Sequence, residues 1–146
     1  MRISVQEAPF DPAEETAGFG AGRSDVGAVV TFAGLVRDDS GRMQALEIEH
    51  YPAMTERAIA AITQEAMARW TLADALVIHR YGRLTVGETI MMVATAARHR
   101  ADAFAAAEFL MDYLKSRAPF WKKEIGPEGE SWVAAKDADE AALKRW

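Results

Sequence analysis

The sequence contains no cysteine. That excludes disulfides, a thiolate nucleophile and cysteine-ligated zinc or iron–sulfur centres. Any sulfur chemistry must therefore use sulfur carried by another molecule. Long apolar runs are missing too: no segment approaches the roughly 18 uninterrupted apolar residues of a membrane span, and MRISVQEAPF at residues 1–10 has no leader-like apolar stretch. Positive charge is in deficit, with 17 Lys and Arg against 22 Asp and Glu, a net charge of −5. Nucleic-acid and anionic-membrane surfaces call for a basic footprint, so neither partner is expected. The expected compartment is the cytoplasm. The sequence has three histidines. No HxH or HExxH spacing occurs, and no metal site or cofactor is expected.

What is present suits one ordinary domain. The 146 residues are 50% hydrophobic and 27% charged, enough for a core and a solvated surface. A single domain spanning 1–146 is expected, with 1–26 assigned only to an N-terminal strand and loop. No internal repeat or low-complexity segment occurs.

Periodicity then places the elements. Arg2–Gln6 alternates as an opening strand, and GAVVTFAGLV (27–36) is β-branched and apolar, which predicts a buried strand. The polar RDDSGRM (37–43) reads as a turn or mobile loop. QALEIEHY (44–51) sets Ala45, Glu47 and Glu49 against Leu46, Ile48 and His50, a strand with one wet face. Pro52 opens a helix carrying Ala58, Ile59, Ile62, Ala66, Met67 and Trp70 at helical spacing. Two strands, 73–82 and 88–97, are joined by RLTVGE, and a long helix runs from Arg100 to about Arg117, ended by Pro119. FWKKEIG and SWVAA flank the turn GPEGE, and DADEAALKRW predicts a short terminal helix. The mixed order, two hairpins and two main helices favour α+β with a mixed or antiparallel sheet over a doubly wound parallel one.

Candidate chemistry gathers in DYLKSRAPFWKKE (112–124), where Lys115, Arg117, Lys122 and Lys123 crowd around a proline and two aromatics. In an acidic chain such a cluster is aimed at a local, small anion. Lys115 shares a helix face with Met111 and Ala107, so one of two readings sets its ammonium against apolar surface, where burial lowers a lysine pKa. The alternative is a lysine whose head snorkels into water. Strand alternation sends Lys122 and Lys123 to opposite faces, so at most one shares a pocket with Lys115. Trp121 either walls that pocket or fills core. His99 and Arg100 stand where a strand hands over to the long helix, a place whose free N–H groups and dipole favour anions. Arg37 ends an apolar strand and is a further candidate. Glu47 with Glu49 reads as a solvated face, and His50 and His79 are too far apart in sequence to argue a metal site.

Five stretches, GAVVTFAGLVR, LEIEHYPAMTE, HRYGRLTVGE, AARHRADAF and DYLKSRAPFWKKE, occur in this order, followed by EGESWVAA and KRW. Together they closely resemble the large, catalytic subunit of molybdopterin synthase, the MoaE family, from Gly27 to Trp146. The resemblance implies an α+β fold with a hammerhead-like β portion. It implies conversion of cyclic pyranopterin monophosphate to molybdopterin, the sulfur arriving as the C-terminal Gly-Gly thiocarboxylate of a small ubiquitin-like partner subunit. It also implies a central homodimer within a heterotetramer. Carried over by residue, catalysis falls on Lys115 and Lys122. Substrate binding falls on those two with Leu35, Val36, Arg37, His99, Arg100, Lys123 and Glu124. Lys136 stands where relatives are expected to carry arginine, in a position to reach a neighbouring subunit's pocket. A phosphate-ester hydrolase and a non-catalytic scaffold for a ubiquitin-like tail are the competing classes.

Overall fold

The computed structural model describes residues 1–146. The fold is α+β and is built on two four-stranded sheets. The first has the order β1-β4-β6-β2, from β1 (Arg2–Gln6), β4 (Asp74–Arg80), β6 (Thr89–Ala97) and β2 (Ala28–Leu35). β1 runs parallel to β4 and the other pairs are antiparallel, so this sheet is mixed. The second, wholly antiparallel, has the order β5-β3-β7-β8, from β5 (Gly82–Leu84), β3 (Ala45–His50), β7 (Phe120–Gly126) and β8 (Gly129–Trp132). The helices are α1 (Pro12–Gly18), α2 (Met54–Arg69), α3 (Arg100–Ser116) and α4 (Asp137–Ala142).

Alternation along β4 decides what lies on each side of the first sheet. Ala75 and Val77 face the main core with Ile59 of α2 and Phe109 and Leu110 of α3, whereas Leu76 and Ile78 face a smaller cluster closed by Phe10 and Phe19. Thr95 Oγ1 of β6 donates to the Ala103 carbonyl at 2.7 Å, tying α3 to the sheet. Gly27 lets β2 approach β6, since a Cβ there would lie 2.3 Å from the Arg98 carbonyl oxygen.

Three expectations change, and a fourth segment is decided between its two readings. The strand at 27–36 is not buried: β2 is an edge strand, and Val29, Phe32 and Leu35 are exposed. β-Branched apolar composition signals a strand but does not say what covers it. RLTVGE is more than a connector, because Gly82–Leu84 within and before it pairs with β3 and couples the two sheets. Pro52 lies in a turn, and the helix starts at Met54 after Ala53, which holds a left-handed φ of 64°. The 37–43 loop is an ordered turn. Asp38 accepts hydrogen bonds from the backbone N–H groups of Ser40, Gly41 and Met43 and from the Ser40 hydroxyl, and these hold its carboxyl below the usual range, the Ser40 bond most of all.

Candidate functional site

The end of α3, the start of β7 and the segment after β8 enclose a cavity of about 440 Å³. Met111 and Lys115 reach it together because they stand four residues apart on one face of α3. Phe120 and Lys122 reach it from β7, two residues apart and so on one strand face. Backbone pairing of Val133 N–H with the Lys122 carbonyl at 2.8 Å carries the chain back across the opening, where Ala134, Ala135, Lys136, Asp139 and Glu140 complete the wall. Phe32 and Leu35 of β2, with Ile90 and Met91 of β6, supply apolar lining on the far side.

Three lysines therefore line one cavity against two carboxylates, and Glu140 is engaged by Arg117 at 2.7 Å. An anion entering would meet positive charge beside apolar walls, where water screens it poorly. Lys115 lies in the last turn of α3, where the helix dipole favours a cation.

The lysine that burial acts on is Lys122, not Lys115. Lys115 is exposed, the second of the two readings its helix face allowed. Lys122 is held below the usual lysine range by burial first and then by the nearby charge of Lys115. Lys123 points away, as alternation predicts. Its ammonium pairs with Glu130 at 3.1 Å and lies 5.0 Å from the centre of the Trp132 ring, and the Glu130 bond raises its pKa. Trp121 does not fill core: it is 42% exposed, lines the cavity and meets Tyr51 edge-on at 4.8 Å.

Of the residues singled out from sequence, the fold thus brings together Leu35, Lys115, Lys122 and Lys136. Val36 is buried in the core, its backbone bonded to Gly87 and Glu88. Arg37 is exposed and paired with Asp39 at 3.0 Å. Glu124 borders a separate shallow cleft with Ser40 and Arg42. His99 and Arg100 are exposed at the start of α3, and His99, the N-cap, makes no side-chain capping bond. Fifteen helical residues separate Arg100 from Lys115, about 22 Å along the axis, so the pair does not reach this cavity within one chain.

The sequence reading weighed His79 only as a metal ligand and did not place it in the site. It continues the Ala75–Val77 face of β4 and lines the cavity, its ring stacked on Phe120 at 3.7 Å and 15°. Burial pushes its pKa down to about 3, with the positive charge of Lys122 adding to the effect and a hydrogen bond to the Arg80 carbonyl opposing it. Counting alternation along 73–82 would have found it, since every second residue there is apolar except this one.

Fold and cavity define a class: an α+β protein whose apolar-floored, lysine-lined pocket is built to handle an anionic group. Comparison with known proteins makes the assignment specific. The family model described as "MoaE protein" matches residues 5–117, and the chain belongs to the MoaE family. It is 68% identical over 146 residues to a protein from Cereibacter sphaeroides named "Molybdopterin synthase catalytic subunit", covering 100% of both chains. Among solved structures it resembles a molybdopterin biosynthesis MoaE protein from Burkholderia ambifaria, with a TM-score of 0.85, 50% identity, and coverage of 99% of this chain and 97% of that one. A structure titled molybdopterin synthase from Staphylococcus aureus matches with a TM-score of 0.81 at 30% identity, covering 90% of this chain and 96% of that one.

Proposed function

We propose that the chain is the catalytic subunit of a molybdopterin synthase and that the three-lysine cavity is its active site. The observation that carries the reading is the convergence of Lys115, Lys122 and Lys136 on one cavity in a protein of net charge −5. Two anions, a pterin phosphate and a thiocarboxylate, must be held together against their mutual repulsion, and only local positive charge does that.

The thiocarboxylate arrives on the C-terminal Gly-Gly tail of a small ubiquitin-like partner. Its sulfur forms a C–S bond to a side-chain carbon of cyclic pyranopterin monophosphate while the C–O bond at that carbon breaks and its oxygen leaves protonated, and water then hydrolyses the thioester, releasing the tail as a carboxylate. The cycle runs twice to build the dithiolene. Lys115 is the central acid/base or stabiliser of developing negative charge, and Lys122 assists from β7. Leu35, Val36 and Arg37 form the segment that leads substrate in from β2, with Lys123 and Glu124 bordering the next stretch of β7. The missing cysteine fits, because the donor brings the sulfur.

His99 and Arg100 enter this reading through a second copy. The unpaired edge of β2, with Val29, Phe32 and Leu35 exposed, offers a surface for homodimer packing. A two-fold partner would bring its own helix start, with His99 and Arg100, to a pocket that one chain leaves short of phosphate ligands. The assembly is then a central homodimer with one small subunit at each outer end. All 146 residues act as one domain. No helix is long and apolar enough to cross a membrane, and the cytoplasm is the proposed compartment.

Mixing the purified chain with thiocarboxylated partner and pterin precursor, then assaying dithiolene, tests the reading. Dithiolene should form only when all three are present. Phosphate release without sulfur transfer would favour a hydrolase, and partner binding without any turnover a scaffold.

A further inference from the structure

Two of the polar atoms that lack a partner in the chain stand at one side of the cavity. One is Nζ of Lys122, a side chain mostly buried that makes neither a hydrogen bond nor an ion pair. The other is Nε2 of His79. Nδ1 of that ring lies 2.8 Å from the Arg80 carbonyl oxygen. A carbonyl has no proton to give, so Nδ1 carries the hydrogen, and in the neutral ring Nε2 is a bare lone pair. Burial keeps the ring neutral, its pKa near 3. Ser116 Oγ is the one side-chain polar atom both sealed from solvent and unpartnered, so Nε2, on a residue that lines the cavity, retains access to it.

The strand geometry sets the two side chains beside each other at the cavity. Phe120 stacks on the His79 ring, and Lys122 leaves the same face of β7 two residues later, about 7 Å along the strand. A four-carbon stem with free torsions spans that offset. Burial thins the water around both groups, and an ammonium short of acceptors and a lone pair short of donors each gain by joining. The other charged and titratable groups around the pair are Lys115 from α3, Lys136 and Asp139 from the wall after β8, and His50 from β3. Lys115 and Lys136 repel the Lys122 charge and Asp139 attracts it. His79 is the neutral acceptor among them.

We propose that His79 is a positioning residue for sulfur transfer, its Nε2 accepting a hydrogen bond from the Lys122 ammonium and holding that charge over the cavity floor. The catalytic consequence rests on the functional reading above; the contact itself does not. It also assigns the low basicity of His79 a use. An imidazole this reluctant to take a proton leaves the charge on Lys122, where an anionic substrate can meet it.

Side-chain NMR on the full chain tests the contact. In the wild type, nitrogen-15 spectra should show His79 protonated at Nδ1 and bare at Nε2 at neutral pH. Lys122 is then titrated through its ε-carbon shift in the wild type, in His79→Phe and in His79→Gln. Phenylalanine keeps a flat ring on Phe120 but has no lone pair, so the Lys122 pKa should fall further, by about one unit. Glutamine, whose amide oxygen can accept, should restore part of the difference. A proton on Nε2 in the wild type overturns the proposal, as does an unchanged Lys122 titration in folded His79→Phe. Should His79→Phe fail to fold, the wild-type tautomer and the glutamine variant still decide. If the spectra come out as expected while the wild type transfers no sulfur, the functional reading fails and the contact stands.

Discussion

The indole Nε1 of Trp146 donates a hydrogen bond to Asp112 on α3 at 2.7 Å. Around it, Arg145 pairs with Glu108 at 2.6 Å and with the same Asp112 at 2.7 Å, and the Trp146 ring packs edge-on against Trp70 and Phe109. This contact holds α4 down, and α4 with the residues before it is the cavity wall that carries Lys136 and Asp139. Trp146→Ala should therefore weaken both fold and site. Loss of the packed indole predicts about 2–4 kcal/mol less stability in urea unfolding, together with weaker precursor binding. Unchanged precursor affinity in the folded variant would show that the wall stands without its anchor.

Lys122 sets stability against function. A lysine whose folded pKa lies below its unfolded value binds fewer protons in the native state, so stability rises as pH climbs from the folded value toward the unfolded one. Below that window the folded protein bears the whole cost of a buried, repelled charge. Lys122→Met removes the charge and keeps the stem. It should flatten the rise of stability with pH that the depressed lysine causes while abolishing sulfur transfer. Urea unfolding of the two proteins checks the first, the dithiolene assay the second. The same rise of stability with pH in Lys122→Met as in the wild type would place its source elsewhere.

His79 makes the opposite end of the pH scale sensitive. Its folded pKa of about 3 lies far below the ordinary histidine value, so its contribution is present in full above that ordinary value and is lost as pH falls toward 3. Between about pH 7 and pH 4 the loss is roughly 3 kcal/mol. Urea unfolding at both pH values should show a drop in the wild type larger by about that amount than in His79→Phe, since acid-sensitive carboxylates elsewhere cancel in the comparison. Equal drops would place the acid sensitivity elsewhere.

Local patterns made most of the fold legible. The extended opening strand, the Ala- and Leu-rich α3 ended by Pro119, and the β7–β8 hairpin around GPEGE all declare themselves through near neighbours. What stayed hidden depends on distant partners. Nothing inside GAVVTFAGLV tells that β2 is an edge, and Gly82–Leu84 is too short to signal a strand until β3 is there to receive it. Thr55 and Thr63 are buried in α2 because each hydroxyl bonds a carbonyl one turn back, at 2.7 Å, which no hydrophobic pattern reveals. The site divides the same way. Lys115 and Lys122 stand out within one thirteen-residue stretch, whereas His79 joins them only through the stacking of β4 against β7. Which of the two lysines burial acts on was not legible, because helix spacing locates a face and not the depth to which neighbours cover it.

The placement of Arg100 yields the sharpest test of the assembly. It begins the helix that Lys115 nearly ends, so the two can serve one pocket only across two chains. Arg100→Ala alone should lose a charge-assisted bond of about 1.5–3 kcal/mol, weakening precursor binding roughly tenfold to hundredfold. Lys115→Ala should instead stop turnover with a smaller effect on affinity, and its exposed position predicts a normal fold. Mixed and allowed to exchange subunits, and assayed at precursor too dilute for Arg100→Ala to bind, the two variants should form heterodimers with one doubly damaged pocket and one intact pocket. Random exchange makes half the dimers mixed, so activity should recover to about one quarter of wild type. Added phosphate should inhibit the recovered activity, as it inhibits the wild type, by competing at the helix start. If exchange is verified by mass and no activity returns, Arg100 does not complete a partner's pocket.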